Sequence, residues 1–437
     1  MNTFRFPQEP WLTRTEQEEL CEGLIHFGLL KWDNKRSLPL KSGGKTDVYI
    51  NLRDARNNPE AIEFITRFFS NPLLRLGFDR FVEVPDSVSC FAGPLSLRTG
   101  IPYLTIREQA KEGRVAKSNV IGSAPYGATA CIIDDVITDG ASKVVPYKEC
   151  KKMGLRGLPL VVLVDRQQGW EKNFKDAGLD ISVWPAMTLH DVRRYLIEHG
   201  IMERCDKDVE NKNPIIVALD GKNWKDILPI ADQLRTTGCI FKVNDLMFEK
   251  GFENIIPNLS VYGRVMADLK GHDIPNTLKN TAERLKKYSP WAVTVHGSGG
   301  EEMIKTVVET FRGTGIKVLV VTVLTSIDKK SSKEIYLRLP SEEVNQLAFI
   351  GDRAGADGFV CSPEEVKILR EKYNDKLLVV PGIRSEGVDK NDQKRTGTPK
   401  GAIDNGAKHL VMGRQILGAV DPVAEVQRLL KEELNII

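Results

Sequence analysis

Between positions 268 and 273 the chain reads Asp268-Leu269-Lys270-Gly271-His272-Asp273, two carboxylates and an ammonium within six residues. The four residues before it, Arg264-Val265-Met266-Ala267, read as strand. Residues i and i+2 of a strand share a face, so Asp268 and Lys270 are expected on one side, with Asp273 just past the strand end. Charges this dense at a strand end suit ligand binding or reaction, because strand-end loops carry function more often than element interiors do. A solvated strand-to-helix turn could carry the same letters. Upstream, Cys239-Ile240-Phe241-Lys242-Val243 sets one lysine in a short apolar run; downstream, Ile274-Pro275-Asn276-Thr277 ends the turn and opens a helix.

A second acidic constellation is Ile132-Ile133-Asp134-Asp135-Val136-Ile137-Thr138-Asp139-Gly140-Ala141-Ser142, which follows a strand and opens a helix. Paired carboxylates there can bind hydroxyls, and the turn that follows aims N–H groups at an anion. An acidic strand-to-helix turn with an N-cap is the plain alternative.

These groups need scaffolds. At 437 residues the chain is too long for one ordinary core, and two domains are the default. Its 41% hydrophobic and 28% charged residues are those of a soluble globular protein. A net charge of +3 offers no electrostatic argument for nucleic acid or an anionic membrane. Seven scattered cysteines, none in a Cys-x-x-Cys pair, suit a reducing compartment. The start lacks a signal-peptide core, and no run approaches 18 apolar residues. A cytoplasmic location is expected.

Seven of the eleven residues from Glu203 to Asn213 are charged, which reads as a linker with Pro214 as punctuation. The expected division is a domain over 1–203, a linker over 204–213 and a domain over 214–437. After the linker, apolar runs recur at 215–219, 240–243, 265–269, 292–295, 318–323, 358–361, 377–380 and 409–412, separated by segments long enough for helices. Eight such units predict a (β/α)8 TIM barrel. Candidate residues then fall at the C-terminal strand ends, where barrel active sites lie: Asp220, Lys242, Asp268, Lys270, Thr325, Ser326, Arg384, Gly413 and Arg414. The last three follow strands 7 and 8, a recurring phosphate site in which glycines permit close approach and a guanidinium meets the dianion. In the first 203 residues, runs at 81–84, 103–106, 130–133 and 160–164 suggest a parallel α/β sheet. Thr15-Glu16-Gln17-Glu18 reads as a capping box opening a helix with Leu20, Leu24 and Phe27.

The array Lys242, Asp268, Lys270 and Asp273 resembles the signature of the orotidine 5'-phosphate decarboxylase family. The resemblance spans 214 to about 430 and includes Ala218-Leu219-Asp220, Val295-His296, Val323-Leu324-Thr325-Ser326, Val360-Cys361-Ser362, Asp392-Gln393-x-Arg395 and Thr398-Pro399. It implies decarboxylation of orotidine 5'-phosphate to UMP, a step of de novo pyrimidine synthesis, without a cofactor or metal. It implies that Asp220 and Lys242 hold the ribose, that Thr325 and Ser326 meet the pyrimidine, and that Arg384, Gln393, Gly413 and Arg414 hold phosphate. Lys270 would stabilise the carbanion and supply the proton. Asp268 would face the departing carboxylate. Asp273 and Thr277 would reach into a neighbouring subunit's site, so a homodimer or larger homo-oligomer is implied. Gly271 stands where the family more often has a bulky apolar residue. The nearest rival is a Mg2+-dependent sugar-phosphate decarboxylase or aldolase on the same barrel, which shares Asp-x-Lys-x-x-Asp; the Thr325-Ser326 and Asp392-Gln393 strings favour the pyrimidine enzyme.

The Asp134-Asp135 string resembles the phosphoribosyl-pyrophosphate loop of type I phosphoribosyltransferases. Leu40-Lys41-Ser42-Gly43 and Asp165-Arg166-Gln167-Gln168-Gly169 narrow that to orotate phosphoribosyltransferases, over about 15–200. The fused order resembles bifunctional uridine 5'-monophosphate synthases. The resemblance implies orotate and phosphoribosyl pyrophosphate as ligands and Mg2+ for an active transferase, with Lys41, Arg107, Lys111, Asp134, Asp135, Thr138, Gly140, Ser142 and Arg166 at its site. Departures oppose a polyanion. Glu108 stands where Lys is usual, Gly113 where His is common and Asp86 where an aromatic is frequent. Asp139 sits inside the phosphate loop, where a like-charge pair costs about 4 kcal/mol at 4 Å with an effective dielectric near 20. Two readings stay open: a bifunctional enzyme, or a decarboxylase joined to a degenerate binding or oligomerisation module.

Overall fold

The computed structural model describes residues 10–34, 37–39, 45–107, 120–204, 207–388 and 395–436. Two compact units divide the chain, Met1–Glu203 and Arg204–Ile437.

The first unit is built on a six-stranded sheet. Four short strands precede it: β1 (Leu30–Trp32) pairs antiparallel with β4 (Val48–Ile50), and β2 (Leu38–Pro39) with β3 (Lys45–Thr46). The sheet itself comprises β5 (Arg80–Glu83), β6 (Tyr103–Ile106), β7 (Val120–Ile121), β8 (Thr129–Ile137), β9 (Arg156–Asp165) and β10 (Val183–Thr188), in the order β10-β9-β8-β5-β6-β7. All neighbours are parallel except the edge pair β6–β7. Strand alternation splits its side chains between two cores. Phe81, Ile133 and Val161 join helices Arg14–His26 and Pro59–Leu76 on one face, while Val82, Ile132 and Val162 meet Tyr147 on the other. Burial on both faces explains why these strands read as continuous apolar runs.

Two details differ from the sequence reading. The first helix is capped by Thr13, whose N–H reaches the Glu16 carboxylate at 2.8 Å, so the capping box lies two residues earlier than Thr15. The sheet also gains β10, where Pro185 argues against a central strand; β10 is an edge, and an edge tolerates proline.

In the second unit β11 (Ile215–Ala218), β12 (Ile240–Val243), β13 (Val265–Gly271), β14 (Ala292–His296), β15 (Lys317–Val321), β16 (Gly358–Val360), β17 (Leu377–Val380) and β18 (His409–Met412) close into an eight-stranded parallel barrel. The expected (β/α)8 architecture is present. Ile216, Ile240, Met266, Ala292, Leu319, Val379 and Val411 form an apolar layer inside it. Two residues further along the chain stand Ala218, Lys242, Asp268, Thr294 and Val321 within their strands, with Pro381 and Gly413 just past theirs; alternation turns the strand residues to the same interior side. Polar chemistry therefore begins one layer above an apolar floor.

The charged stretch 204–213, a linker by composition, belongs to this unit. Residues Lys207–Lys212 are helical, Arg204 pairs with Glu210, and Arg264 donates to the Glu210 carbonyl at 2.7 Å. Two of its charges, Arg204 and Glu210, are paired within the fold, which composition alone does not reveal. Among the described residues no helix is long and apolar enough to cross a membrane.

Candidate active site

The C-terminal strand ends of the barrel surround a cavity of about 760 Å³. Asp220, Lys242, Asp268 and Lys270 line one wall; Thr325, Arg384, Gly413 and Arg414 also line it. Local sequence explains several placements. Lys242 and Asp268 each follow an apolar-layer residue by two positions. At Gly382 the backbone is left-handed, φ +78°, a turn that glycine makes without strain and that precedes Arg384.

The charges on the first wall alternate. The Lys242 ammonium pairs with Asp220 and lies 3.1 Å from Asp268 Oδ2. Lys270 Nζ lies 2.6 Å from that same oxygen. Burial works against both central charges. Even so, Asp268 and Asp220 hold the Lys242 ammonium above lysine's usual pKa, and Lys242 and Lys270 hold the Asp268 carboxyl below the usual carboxylate range. At the centre of the wall Lys242 and Asp268 are thus a buried pair of opposite charges, where such charges act strongly. Lys270 is the wall's more exposed cation, with 38% of its side chain accessible against 8% for Lys242.

β13 is irregular where it carries these groups. Its ladder to β14 shifts between Ala267 and Gly271, and Lys270 has φ +50°. Simple alternation therefore does not describe how Asp268 and Lys270 meet; the contact is made across a bulge. Gly271, buried, has Leu278 Cδ1 2.8 Å from where a Cβ would stand. The tip of the Leu278 side chain occupies part of the space a larger residue would take and would have to shift for one.

Other candidates lie elsewhere. Asp273 and Thr277 are exposed and do not line the cavity of their own chain; Asp273 Oδ1 accepts the Ile274 N–H at 2.7 Å. Ser326 is exposed and outside the lining, unlike its neighbour Thr325. Gln393 lies outside the described residues. Lys222 lines the cavity without having been named from sequence, as do Leu324 and Cys361, which the sequence strings contain but to which no role was given. Lys222 was within reach of the same reasoning, two residues past Asp220. Burial pushes the Cys361 thiol far up, so it is a neutral part of the wall.

In the first unit, Asp134 and Asp135 fall within β8, not after it. Asp134 is fully buried and paired with the ammonium of Lys143. Burial, then the nearby Arg53, lowers Lys143 to about 8, and burial raises the Asp135 carboxyl. Gly140 is left-handed, Thr138 and Ser142 are exposed, and Arg107 follows β6. Arg166 donates to Thr46 Oγ1 at 3.0 Å. Asp139, exposed, accepts the Ala141 N–H at 3.1 Å, and Asp86 is exposed with φ +68°. Lys41, Glu108, Lys111 and Gly113 lie outside the described residues. These acids do not fit Mg2+ well: one is neutralised by a lysine and the other is pushed toward its protonated form. Among the described residues no group of three or more His, Cys, Asp or Glu is arranged to hold a metal ion.

Residues 213–429 match the family model described as Orotidine 5'-phosphate decarboxylase / HUMPS family. Orotidine 5'-phosphate decarboxylase of Neisseria meningitidis serogroup A / serotype 4A (strain DSM 15465 / Z2491) is 39% identical over 235 residues, covering 52% of this chain and 96% of that protein. The same enzyme of Actinobacillus pleuropneumoniae serotype 5b (strain L20) is 40% identical over 223 residues, covering 50% and 97%. The crystal structure of orotidine 5'-phosphate decarboxylase from Lactobacillus acidophilus aligns with a TM-score of 0.44 and 34% identity, over 51% of this chain and 99% of that one. By near-complete coverage of relatives about 40% identical, together with the family-model match over residues 213–429, the chain belongs through its second half to the orotidine 5'-phosphate decarboxylase family.

Proposed function

We propose that the second unit is a lyase converting orotidine 5'-phosphate to UMP and CO2. The observation that carries this reading is the row Asp220–Lys242–Asp268–Lys270 facing one cavity with Arg384, Gly413 and Arg414. Breaking the bond between C6 and the carboxylate carbon releases CO2 and leaves an electron pair on C6. The Lys270 ammonium stabilises that pair and then donates a proton to it. Asp268, held ionised by two ammonium groups, faces the substrate carboxylate and pairs with Lys270. Asp220 and Lys242 hold the ribose hydroxyls, and Thr325 and Ser326 the pyrimidine. Arg384, Gln393, Gly413 and Arg414 bind the phosphate, whose binding energy serves the reacting centre. Two cations beside a glycine backbone suit a phosphate dianion.

The active form in this reading is at least a dimer. Asp273 and Thr277 do not line the cavity of their own chain, and Ile274 between them is 66% exposed. A second copy would cover that surface and receive the two polar groups.

The first unit is a phosphoribosyltransferase-like α/β domain. The Lys143–Asp134 pair favours the second of the two readings from sequence, a non-catalytic binding or oligomerisation module, since the ribose-binding carboxylate already has a cation. The test is a separate assay of each half-reaction on the purified full chain. Orotidine 5'-phosphate should be consumed at a rate unchanged by EDTA. Orotate with phosphoribosyl pyrophosphate and Mg2+ should yield little or no product. An inert or EDTA-sensitive decarboxylation would sink the first reading, and robust orotate turnover the second.

A further inference from the structure

We propose that Thr294, on β14, is a positioning residue for the decarboxylation: its single hydroxyl holds both the Lys270 backbone and the Asp268 carboxylate in place. The inference rests on the decarboxylase reading above.

The argument starts from register. Between the pairs Ala267↔Val293 and Gly271↔Val295, β13 advances four residues while β14 advances two. A regular parallel ladder advances one for one, so β13 bulges here, and a bulge strips residues of their ladder partners. Lys270, inside the bulge, is left-handed at φ +50°. A non-glycine residue keeps that conformation only where its surroundings over-determine it.

Thr294 supplies the determination. The Lys270 backbone N–H donates to Thr294 Oγ1 at 2.8 Å, and the Thr294 hydroxyl donates to Asp268 Oδ1 at 2.9 Å. A hydroxyl has one proton and two lone pairs, so both bonds are made at once. Asp268 Oδ1 is thereby held to β14, leaving Oδ2 for the ammonium groups of Lys270 and Lys242. From the other side Asn244 Nδ2 donates to the Asp268 carbonyl at 2.6 Å. Thr294 is fully buried and does not line the cavity, so it acts through its two partners and not on substrate. Alternation also predicts its place: it stands two residues past Ala292 of the apolar layer, level with Lys242 and Asp268.

Without the hydroxyl, the Lys270 N–H has no partner in the bulge and the carboxylate is free to turn. A shift of about 1 Å at a reacting group costs about 10²-fold in rate. The phosphate side of the cavity is untouched. The experiment compares full-length wild type, Thr294→Val and Thr294→Ser for kcat and KM on orotidine 5'-phosphate, with UMP affinity by calorimetry. Thr294→Val should lose about 10²-fold in kcat while KM and UMP affinity stay near wild type, and Thr294→Ser should recover most of the rate. Should Thr294→Val fail to fold, Thr294→Ala against Thr294→Ser gives the same comparison. Near-wild-type kcat without the hydroxyl, equal losses in the Ser and Val variants, or a parallel loss of UMP binding would each overturn the positioning role. Wild type that binds UMP yet leaves orotidine 5'-phosphate intact would instead remove the decarboxylase reading and this inference with it.

Discussion

Arg395 and Glu365 form a buried ion pair, 5% and 3% exposed, that ties two segments of the cavity's surroundings together. The guanidinium also donates to the carbonyls of Val323 and Leu324 at 2.9 and 3.0 Å, and both of those residues line the cavity next to Thr325. The Glu365 carboxylate takes the Ser362 hydroxyl as well. Burial raises the Glu365 carboxyl despite these partners, so the pair is held by geometry and not by cheap solvation. Arg395→Met leaves Glu365 buried without its cation and takes the guanidinium donor from the Val323 carbonyl, while the Leu324 carbonyl keeps only the Ile327 N–H. The barrel should lose about 3–5 kcal/mol of stability, read as a lower urea midpoint by tryptophan fluorescence. Arg395→Lys keeps the charge but not the fork, and should fall between Met and wild type. An unchanged midpoint in the Met variant would show that the pair contributes nothing.

In the proposed reaction Lys270→Ala removes both the ammonium that would stabilise the carbanion and the proton donor. Electrostatic stabilisation and general acid catalysis each contribute about 10²-fold or more, so kcat should fall about 10⁴-fold or more. Circular dichroism and UMP calorimetry should remain close to wild type, because the residue lies on the surface of the cavity wall and not in the apolar layer. Near-normal turnover would remove Lys270 from the chemistry.

Asp273 in the proposed dimer serves the partner's cavity. Lys270→Ala and Asp273→Ala proteins should each be inactive alone. In a mixed dimer one site carries both defects and the other neither, so equal mixing with free exchange should restore about a quarter of wild-type activity. The assay is turnover after exchange, with subunit mixing followed by differently tagged chains. No recovery after confirmed exchange would mean that each site is built within one chain.

His409 predicts an acid limit to the barrel's stability. Its ring stands edge-on to Trp291, centroids 4.9 Å apart. Burial, then Arg264, lowers it to about 4 from the ordinary 6.5. The unfolded chain therefore binds the proton more readily than the folded one. The contribution is fully present above about pH 6.5 and is lost as the pH falls toward 4, at no more than about 1.4 kcal/mol per pH unit. Urea midpoints measured from pH 7 to pH 4 should drop more steeply in wild type than in His409→Asn. Parallel profiles would show that this histidine is not linked to folding.

The eight barrel strands were legible in the sequence because each is a short, nearly continuous apolar run between helical segments, the pattern that burial on both faces imposes. Alternation within those runs also locates Lys242 and Asp268 one step above the apolar layer. Pairing across the bulge was not legible. A bulge is a property of the register between two strands, and nothing in the letters of β13 says that it advances four residues against two of β14. The left-handed Lys270 and the role of Thr294, 24 residues further on, follow from that register alone. The same holds for Arg395 with Glu365, 30 residues apart, and for Lys143 neutralising Asp134 across a turn. Composition and spacing determined the kinds of charge available and the strand ends that carry them. Tertiary structure decided which charges meet, because an ion pair or a shared hydroxyl depends on separations of about 3 Å between atoms whose distance along the chain sets no limit on how near they lie.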